Sequence, residues 1–276
     1  MPNWKKVVVS GSNAELSKLN VSTAFTASGI IYPTSDGSAD QVLKTDGSGT
    51  LSWTANSGSG ASNITGLSDA LTEDNSVYLG SNPSSTTNTA EGNTAVGTSA
   101  LDVVTTGDGN VAVGHNVLHG LTTGTRNIAI GLGALDVPDT ENDNLAIGYE
   151  ALGAAIAGGE YNVAIGNLSM DALNTGDYNT GVGYASLGAV TTGSQNTAIG
   201  YGAMSDANTG QYNTTLGWFA GDALTDGNNN VVIGPNSDAS SANAENQIVI
   251  GYATTGQGDN YAVIGNADIT RLYAAQ

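Results

Sequence analysis

The chain has 276 residues, including 39 Gly, five Pro and no Cys, with 11% charged residues and a formal net charge of −19. An apolar fraction of 39% at so low a charge density excludes a disordered chain, and the few prolines exclude collagen and polyproline linkers. The acidic balance argues against nucleic acid or an anionic lipid surface as a partner, and the lack of Cys removes disulfides, thiol chemistry and Cys-based zinc sites.

Charge divides the chain. Lys5, Lys6, Lys18 and Lys44 against Glu15, Asp36 and Asp40 leave residues 1–44 near +1, whereas the remainder carries about −20, with Arg126 and Arg271 as its cations. The opening "MPNWKKVVVSGSN" lacks the apolar core of an export signal, and no window approaches the run of about 18 apolar residues that a membrane helix needs. Neither an export signal nor membrane insertion is expected. Residues 1–29 read as an attachment segment, with a predicted strand at 5–10 and a short amphipathic piece at 14–21. Being basic and non-repetitive, this is the segment expected to dock on other proteins of a larger assembly. Residues 30–56 form a small module in which "QVLKTDGSGTLSWT" (41–54) predicts a hairpin, turning at Asp46-Gly47-Ser48-Gly49 and packing Trp53. Residues 57–75 read as a linker with a short helix, beginning with the flexible "SGSGAS".

From 76 to 265 the chain repeats. A Gly closes each "Asn-x-Ala-Ile-Gly" at 80, 97, 114, 131, 148, 166, 183, 200, 217, 234, 251 and 265, a spacing of 17 broken by one 18 and one final 14. The position before this anchor Gly is aliphatic in every repeat, from Leu79 to Ile264. Two before it Ala dominates. Four before it stand Asn93, Asn110, Asn127, Asn144, Asn162, Asn179, Asn196, Asn213 and Asn230. The period of two puts Asn, Ala and Gly on one face and the larger residues on the other, which predicts a short strand. The Leu or Met four after the anchor (Leu101 to Met204) suggests a second short strand. The recurrent Thr-Gly suggests a turn in which Gly supplies positive φ.

Each repeat is therefore one coil of a parallel β-solenoid, too small to bury its apolar row alone and stacked on its neighbours. The fold class is all-β, with about twelve 17-residue coils in a rod on the order of 55 Å long. The Asn column is expected to bond amide to amide along the stack. So narrow a coil leaves an apolar face that copies of the chain would cover. Residues 266–276 remain as a C-terminal cap.

Little in this pattern points to chemistry. His115 and His119 lack a third ligand and read as surface residues, and Asp108, Asp143, Asp177 and Asp226 read as solvated turns. No coil breaks the repeat with the carboxylate pair of a glycosidase, and "GLGAL" (131–135) has no P-loop Lys behind it. Neither catalytic nor cofactor or metal residues are assigned, and the chain is not expected to be an enzyme. Two aromatic columns remain as candidate glycan contacts. Tyr149, Tyr184, Tyr201, Trp218 and Tyr252 follow an anchor Gly, while Tyr161, Tyr178 and Tyr212 stand five before one. Ring packing along an edge of the stack is the alternative for both.

The strings "NTAVG", "NIAIG", "NLAIG", "NVAIG" and "NTAIG" resemble coils in the heads of trimeric autotransporter adhesins, although those heads favour 14-residue coils. The longer form "A-L-x-x-x-x-T-G-x-x-N-T-A-I-G" is closer to repeats of bacteriophage tail-fibre proteins, as are "YPTSDGSADQVLKTDGSGTLSWTA" (32–55) and "ITGLSDAL" (64–71). The resemblance implies a left-handed, homotrimeric β-roll and a structural fibre or spike on a phage virion. Such a fibre would dock by its N-terminal region to other virion proteins and reach outward to a host glycan or protein. A bacterial surface adhesin is the alternative, and a polysaccharide-depolymerising tailspike ranks third.

Overall fold

A computed structural model describes residues 25–27, 30–33, 41–55, 70–73, 75–80, 89–154 and 156–269. The described residues form seventeen strands and no helix. The chain divides into two compact units, residues 1–62 and 63–276.

In the first unit β1 (Phe25–Ala27) pairs antiparallel with β2 (Ile30–Tyr32). β3 (Gln41–Thr45) pairs antiparallel with β4 (Leu51–Ala55), setting Leu43 opposite a half-buried Trp53. The turn forms because the Asp46 carboxylate accepts from the N–H groups of Ser48 and Thr50 at 2.7 and 3.0 Å. Those bonds hold its pKa below the ordinary value. A bridge between Ile31 and Thr50 joins the two hairpins. The β1–β2 hairpin spans the expected boundary at residue 29. The strand expected at 5–10 and the amphipathic piece at 14–21 lie outside the described residues.

The second unit is one 13-stranded sheet. It opens with β5 (Ala70–Glu73), antiparallel to β6 (Ser76–Leu79), with Tyr78 buried. Of the expected linker with a short helix at 57–75, residues 70–73 are strand, and 57–69 lie outside the described residues. The remaining strands run parallel in sequence order from β6 through β7 (Thr94–Val96) to β17 (Ala262–Ile264). They form a β-solenoid of twelve parallel strands and about eleven turns. Register follows the repeat: Ala95 faces Ala112, Ala112 faces Ala129, and Ile147 faces Ile165 across the 18-residue step. The main-chain bonds of that step place its extra residue between Leu152 and Ala157.

Within a coil only three residues are extended. The middle one, usually Ala, is buried, and its neighbours on either side face outward. The second strand expected at the Leu or Met four after the anchor does not form. Leu101, Leu118, Leu135, Leu152, Met170, Leu187 and Met204 instead sit in left-handed turns, with φ between 47° and 54°, while remaining buried. A left-handed residue costs about 1–2 kcal/mol, which burial of its side chain offsets. The Thr-Gly glycines also serve differently from expectation. Apart from Gly158, they do not take positive φ, and they are small because the next coil is close. A Cβ on Gly107 would lie 2.3 Å from the carbonyl oxygen of Gly124, and one on Gly176 would lie 2.1 Å from that of Gly193.

The core is filled by complementary sizes across successive columns. Gly181 replaces Ala where the Ser169 and Ser186 hydroxyls and the Met170 methyl crowd to 2.7–3.0 Å of a notional Cβ. Conversely, Gly221 replaces Leu where the Thr215 methyl occupies the space, 2.7 Å from a notional Cβ. The Thr215 hydroxyl is fully buried without a hydrogen-bond partner. Thr215→Val keeps the shape and removes the orphan hydroxyl, as Val232 and Val249 do in the next two coils. An increase of about 1 kcal/mol in unfolding free energy is expected in urea titrations.

Candidate functional site

The repeated asparagines form a continuous internal ladder. From Asn110 to Asn230 each Asn N–H donates to the Oδ1 of the Asn one coil earlier, at 2.8–3.0 Å. From Asn93 onward each Nδ2 donates to a turn carbonyl of the following coil at 2.7–2.9 Å. In most coils Nδ2 also shares the preceding Oδ1. Ser76 Oγ begins the ladder by accepting from Asn93, and the N–H of Gln247 ends it on Asn230. Every Asn in it is at most 1% exposed. An amide is suited to this place because it offers a donor and an acceptor from one short side chain. The ladder reaches further than the expected amide-to-amide contact, since it also satisfies the turn backbone.

The aliphatic row lies on the opposite, outer face of the sheet. Val96, Ile130, Ile199, Leu216 and Ile264 are 38–50% exposed, and the other members are half-buried. The first residues of the strands lie beside them, Ile128 and Ile248 among them at 40% and 43%. This outer face carries no charged side chain from Thr94 to Ile264.

The aromatic columns flank the strands, all eight side chains exposed. Tyr161 stacks on Tyr178 at 4.9 Å and Tyr184 on Tyr201 at 5.0 Å, close to the spacing between coils. Phe219, which the sequence reading did not single out, lies edge-on to both Tyr201 and Trp218. Its ring covers Gly202, where a Cβ would meet it at 2.5 Å. Thus Tyr184, Tyr201 and Trp218 are brought into one cluster and Tyr161 and Tyr178 into a second. Tyr149, Tyr212 and Tyr252 have Asn167, Gln195 and Pro235 as column neighbours. The two stacked pairs spend one ring face of each tyrosine on a neighbour. Tyr149 bonds Glu150 through its hydroxyl, which raises its pKa.

The turn carboxylates are engaged with the backbone and with each other's coils. Asp108 accepts from the Glu91 N–H, Asp177 from the Glu160 N–H and Asp226 from the Thr209 hydroxyl. Asp143 takes a bidentate bond from Arg126, which lowers the Asp143 pKa and raises that of the guanidinium. His115 lies 3.2 Å from the Thr98 carbonyl, and His119 stands between Asp102 and Asp136 at 3.7 and 3.9 Å. A recess of about 280 Å³ is lined by Asp136, Glu150 and Asp171, with Gly133, Gly153 and Ala154 leaving the room. Burial raises the pKa of Asp136 and of Asp171. Among the described residues no group of three or more His, Asp or Glu is placed to hold a metal ion.

Among the described residues Asp238 is the most perturbed carboxyl. Burial first, and then the Asp222 charge, push its pKa from 3.8 to about 6, against the N–H groups of Ala223 and Ala239. A raised carboxyl favours the folded state while protonated, so its contribution is present below pH 3.8 and lost as the pH rises through about 6. Asp238→Asn is expected to stabilise the protein at pH 8 by about 1–2 kcal/mol after solvent screening, and not at pH 3.5. Melting curves at the two pH values check this.

Compared with protein-family models, with curated proteins and with solved structures, the chain matches none of them.

Proposed function

We propose that the protein is a non-enzymatic structural element, a fibre or spike of a phage virion. In this reading it assembles as a homotrimer, docks through its basic N-terminal region and extends the solenoid outward toward the host surface. The observation that carries the reading is the use of the repeated polar side chains. The Asn ladder and many turn carboxylates are committed to bonds between coils. Such a chain converts sequence length into a stiff stack, as one-dimensional repeat architectures do. The phage assignment rests on the resemblance of residues 32–55 and of the repeat to fibre proteins. Contact with host glycans, if made by the tyrosine rows, would use ring edges, hydroxyls and the faces left free by stacking.

The test is mass spectrometry of purified virions from a phage that encodes this sequence, joined to a polysaccharide-degradation assay on the purified chain. Peptides in stoichiometric amount and no depolymerisation are expected. Absence from the particle contradicts the virion reading, and depolymerisation contradicts the non-enzymatic one.

A further inference from the structure

Four exposed tyrosines are held in two pairs across successive coils. Tyr161 and Tyr178 share one left-handed backbone conformation, φ of 59° at each, so their side chains leave in the same direction. Their rings lie parallel to within 1°, with centroids 4.9 Å apart. Beside them the Tyr178 N–H donates to the Glu160 carbonyl at 3.1 Å, and the Asp177 carboxylate accepts from the Glu160 N–H at 2.9 Å, which ties the two turns together. Tyr184 and Tyr201 form the second pair, 5.0 Å apart and tilted by 14°. Each follows an anchor Gly, and the pairing of Val182 with Ile199 holds the two coils in register.

Two phenols so placed are arranged for oxidative coupling. A one-electron oxidant takes an electron from a phenol, its hydroxyl proton leaves to water, and the phenoxyl radical carries spin on the oxygen and on the carbons ortho to it. The half-filled orbital has its lobes above and below the ring, so parallel rings turn these lobes toward each other. When both rings are oxidised, a carbon–carbon bond forms between one ortho carbon of each. The ring hydrogens at those carbons then move to oxygen and restore two phenols. In sum, two tyrosines give one dityrosine, two electrons and two protons. Proximity decides which rings couple, since neighbours held at 4.9–5.0 Å meet far more often than rings on separate molecules at micromolar concentration. Exposure leaves each ring the rotation that closes stacking distance to a bond, while the backbone between the coils stays in place.

We infer that Tyr161–Tyr178 and Tyr184–Tyr201 are oxidative crosslinking sites, each joining two successive coils through a dityrosine bond when a one-electron oxidant reaches the surface. Such a bond staples the coils outside, where the Asn ladder joins them inside. It also closes a loop of the chain and so restricts the unfolded state, as a disulfide does. Tyr149, Tyr212 and Tyr252 are exposed too, but Leu132 and Asn167, Gln195 and Asn229, and Pro235 and Asn266 flank them in their columns. They have no phenol beside them in the stack.

Photo-oxidation of the full chain with tris-bipyridyl ruthenium and persulfate tests the assignment, one persulfate taking up the two electrons as two sulfates. Expected are dityrosine fluorescence, a 27.6 kDa single-chain mass less two hydrogens per bond, peptides joining 161 to 178 and 184 to 201, and a raised melting midpoint. Tyr161→Phe and Tyr184→Phe keep the stacked ring and remove one phenol from each pair. Each is expected to abolish its own crosslink and spare the other, and the double variant to lose most of the fluorescence. Tyr212→Phe is expected to keep both crosslinks. A pair that stays unlinked in the oxidised wild-type chain loses its assignment. Oxidation that adds oxygen without crosslinks, bonds between separate chains in place of successive coils, or an equal loss of fluorescence in Tyr212→Phe overturns the inference.

Discussion

Replacing Asn179 with Ala is expected to destabilise the solenoid by about 3–5 kcal/mol, measured by denaturant titration and hydrogen exchange. The Asn179 Oδ1 accepts from the N–H and Nδ2 of Asn196, and its Nδ2 donates to Asn162 and to the Gly193 carbonyl. Truncation leaves the Asn196 N–H and the Gly193 carbonyl without these partners in a place closed to water. Each orphaned buried group costs about 1–3 kcal/mol, and the vacated volume adds to the loss. Because neighbouring coils hold one another, exchange should accelerate first in the coils around residues 179–196 and spread with temperature. Asn179→Leu fills the volume without restoring the bonds, and it should recover only a minor part of the loss. A change below 1 kcal/mol for both variants would show that the ladder is incidental to stability.

Gly200→Ala is the second large effect, about 3–5 kcal/mol, from strain and overpacking together. Gly200 has φ of +143°, and a Cβ there would lie 2.1 Å from the carbonyl oxygen of Gly217. The backbone fixes the position of a Cβ and the oxygen is itself a backbone atom, so no rotamer change relieves the contact, and the coils must separate. Gly133→Ala is the matched comparison. Its φ of +64° is left-handed too, but the nearest atom to a new Cβ is the Glu150 Cγ at 3.4 Å. In the same column Asn116 and Glu150 already carry side chains at φ of 54° and 49°. Gly133→Ala should therefore cost about 1 kcal/mol. Similar losses for the two variants, read from urea midpoints, would mean that φ rather than coil spacing fixes the anchor glycines.

The strand at Asn-x-Ala-Ile-Gly was legible because its period of two and its spacing of 17 are both local to the sequence. The left-handed turn at Leu101 and its equivalents was not recovered, yet a signal for it was present. The column before the anchor is mostly Ile and Val, whereas the column four after it holds Leu and Met and no β-branched residue from Leu101 to Met204. A β-branched side chain suits a strand and is strongly disfavoured at positive φ. Apolarity alone does not separate the two columns, and branching does. The thinness of the coil at Gly107 and Gly176 depends on the distance to another coil, which no single repeat displays. Phe219 escaped for a related reason. It stands one place outside the aromatic column, and its contact with Gly202 arises only when coils are stacked.

Asn and the middle residue of the strand face inward against the buried Leu and Met, and the strand residues on either side of the middle one face outward. The packing inside the coil thus goes with an uncharged, aliphatic stripe outside it. The ladder ties each coil to the next, and the anchor glycines allow the close spacing between them.

The most direct test of this account is the native mass of the full chain at micromolar concentration and moderate salt, by light scattering or native mass spectrometry. Three copies of a 27.6 kDa chain, about 83 kDa in closed symmetry, are the expected result. A persistent 27.6 kDa species would contradict it, leaving a self-sufficient solenoid whose apolar face stays in water.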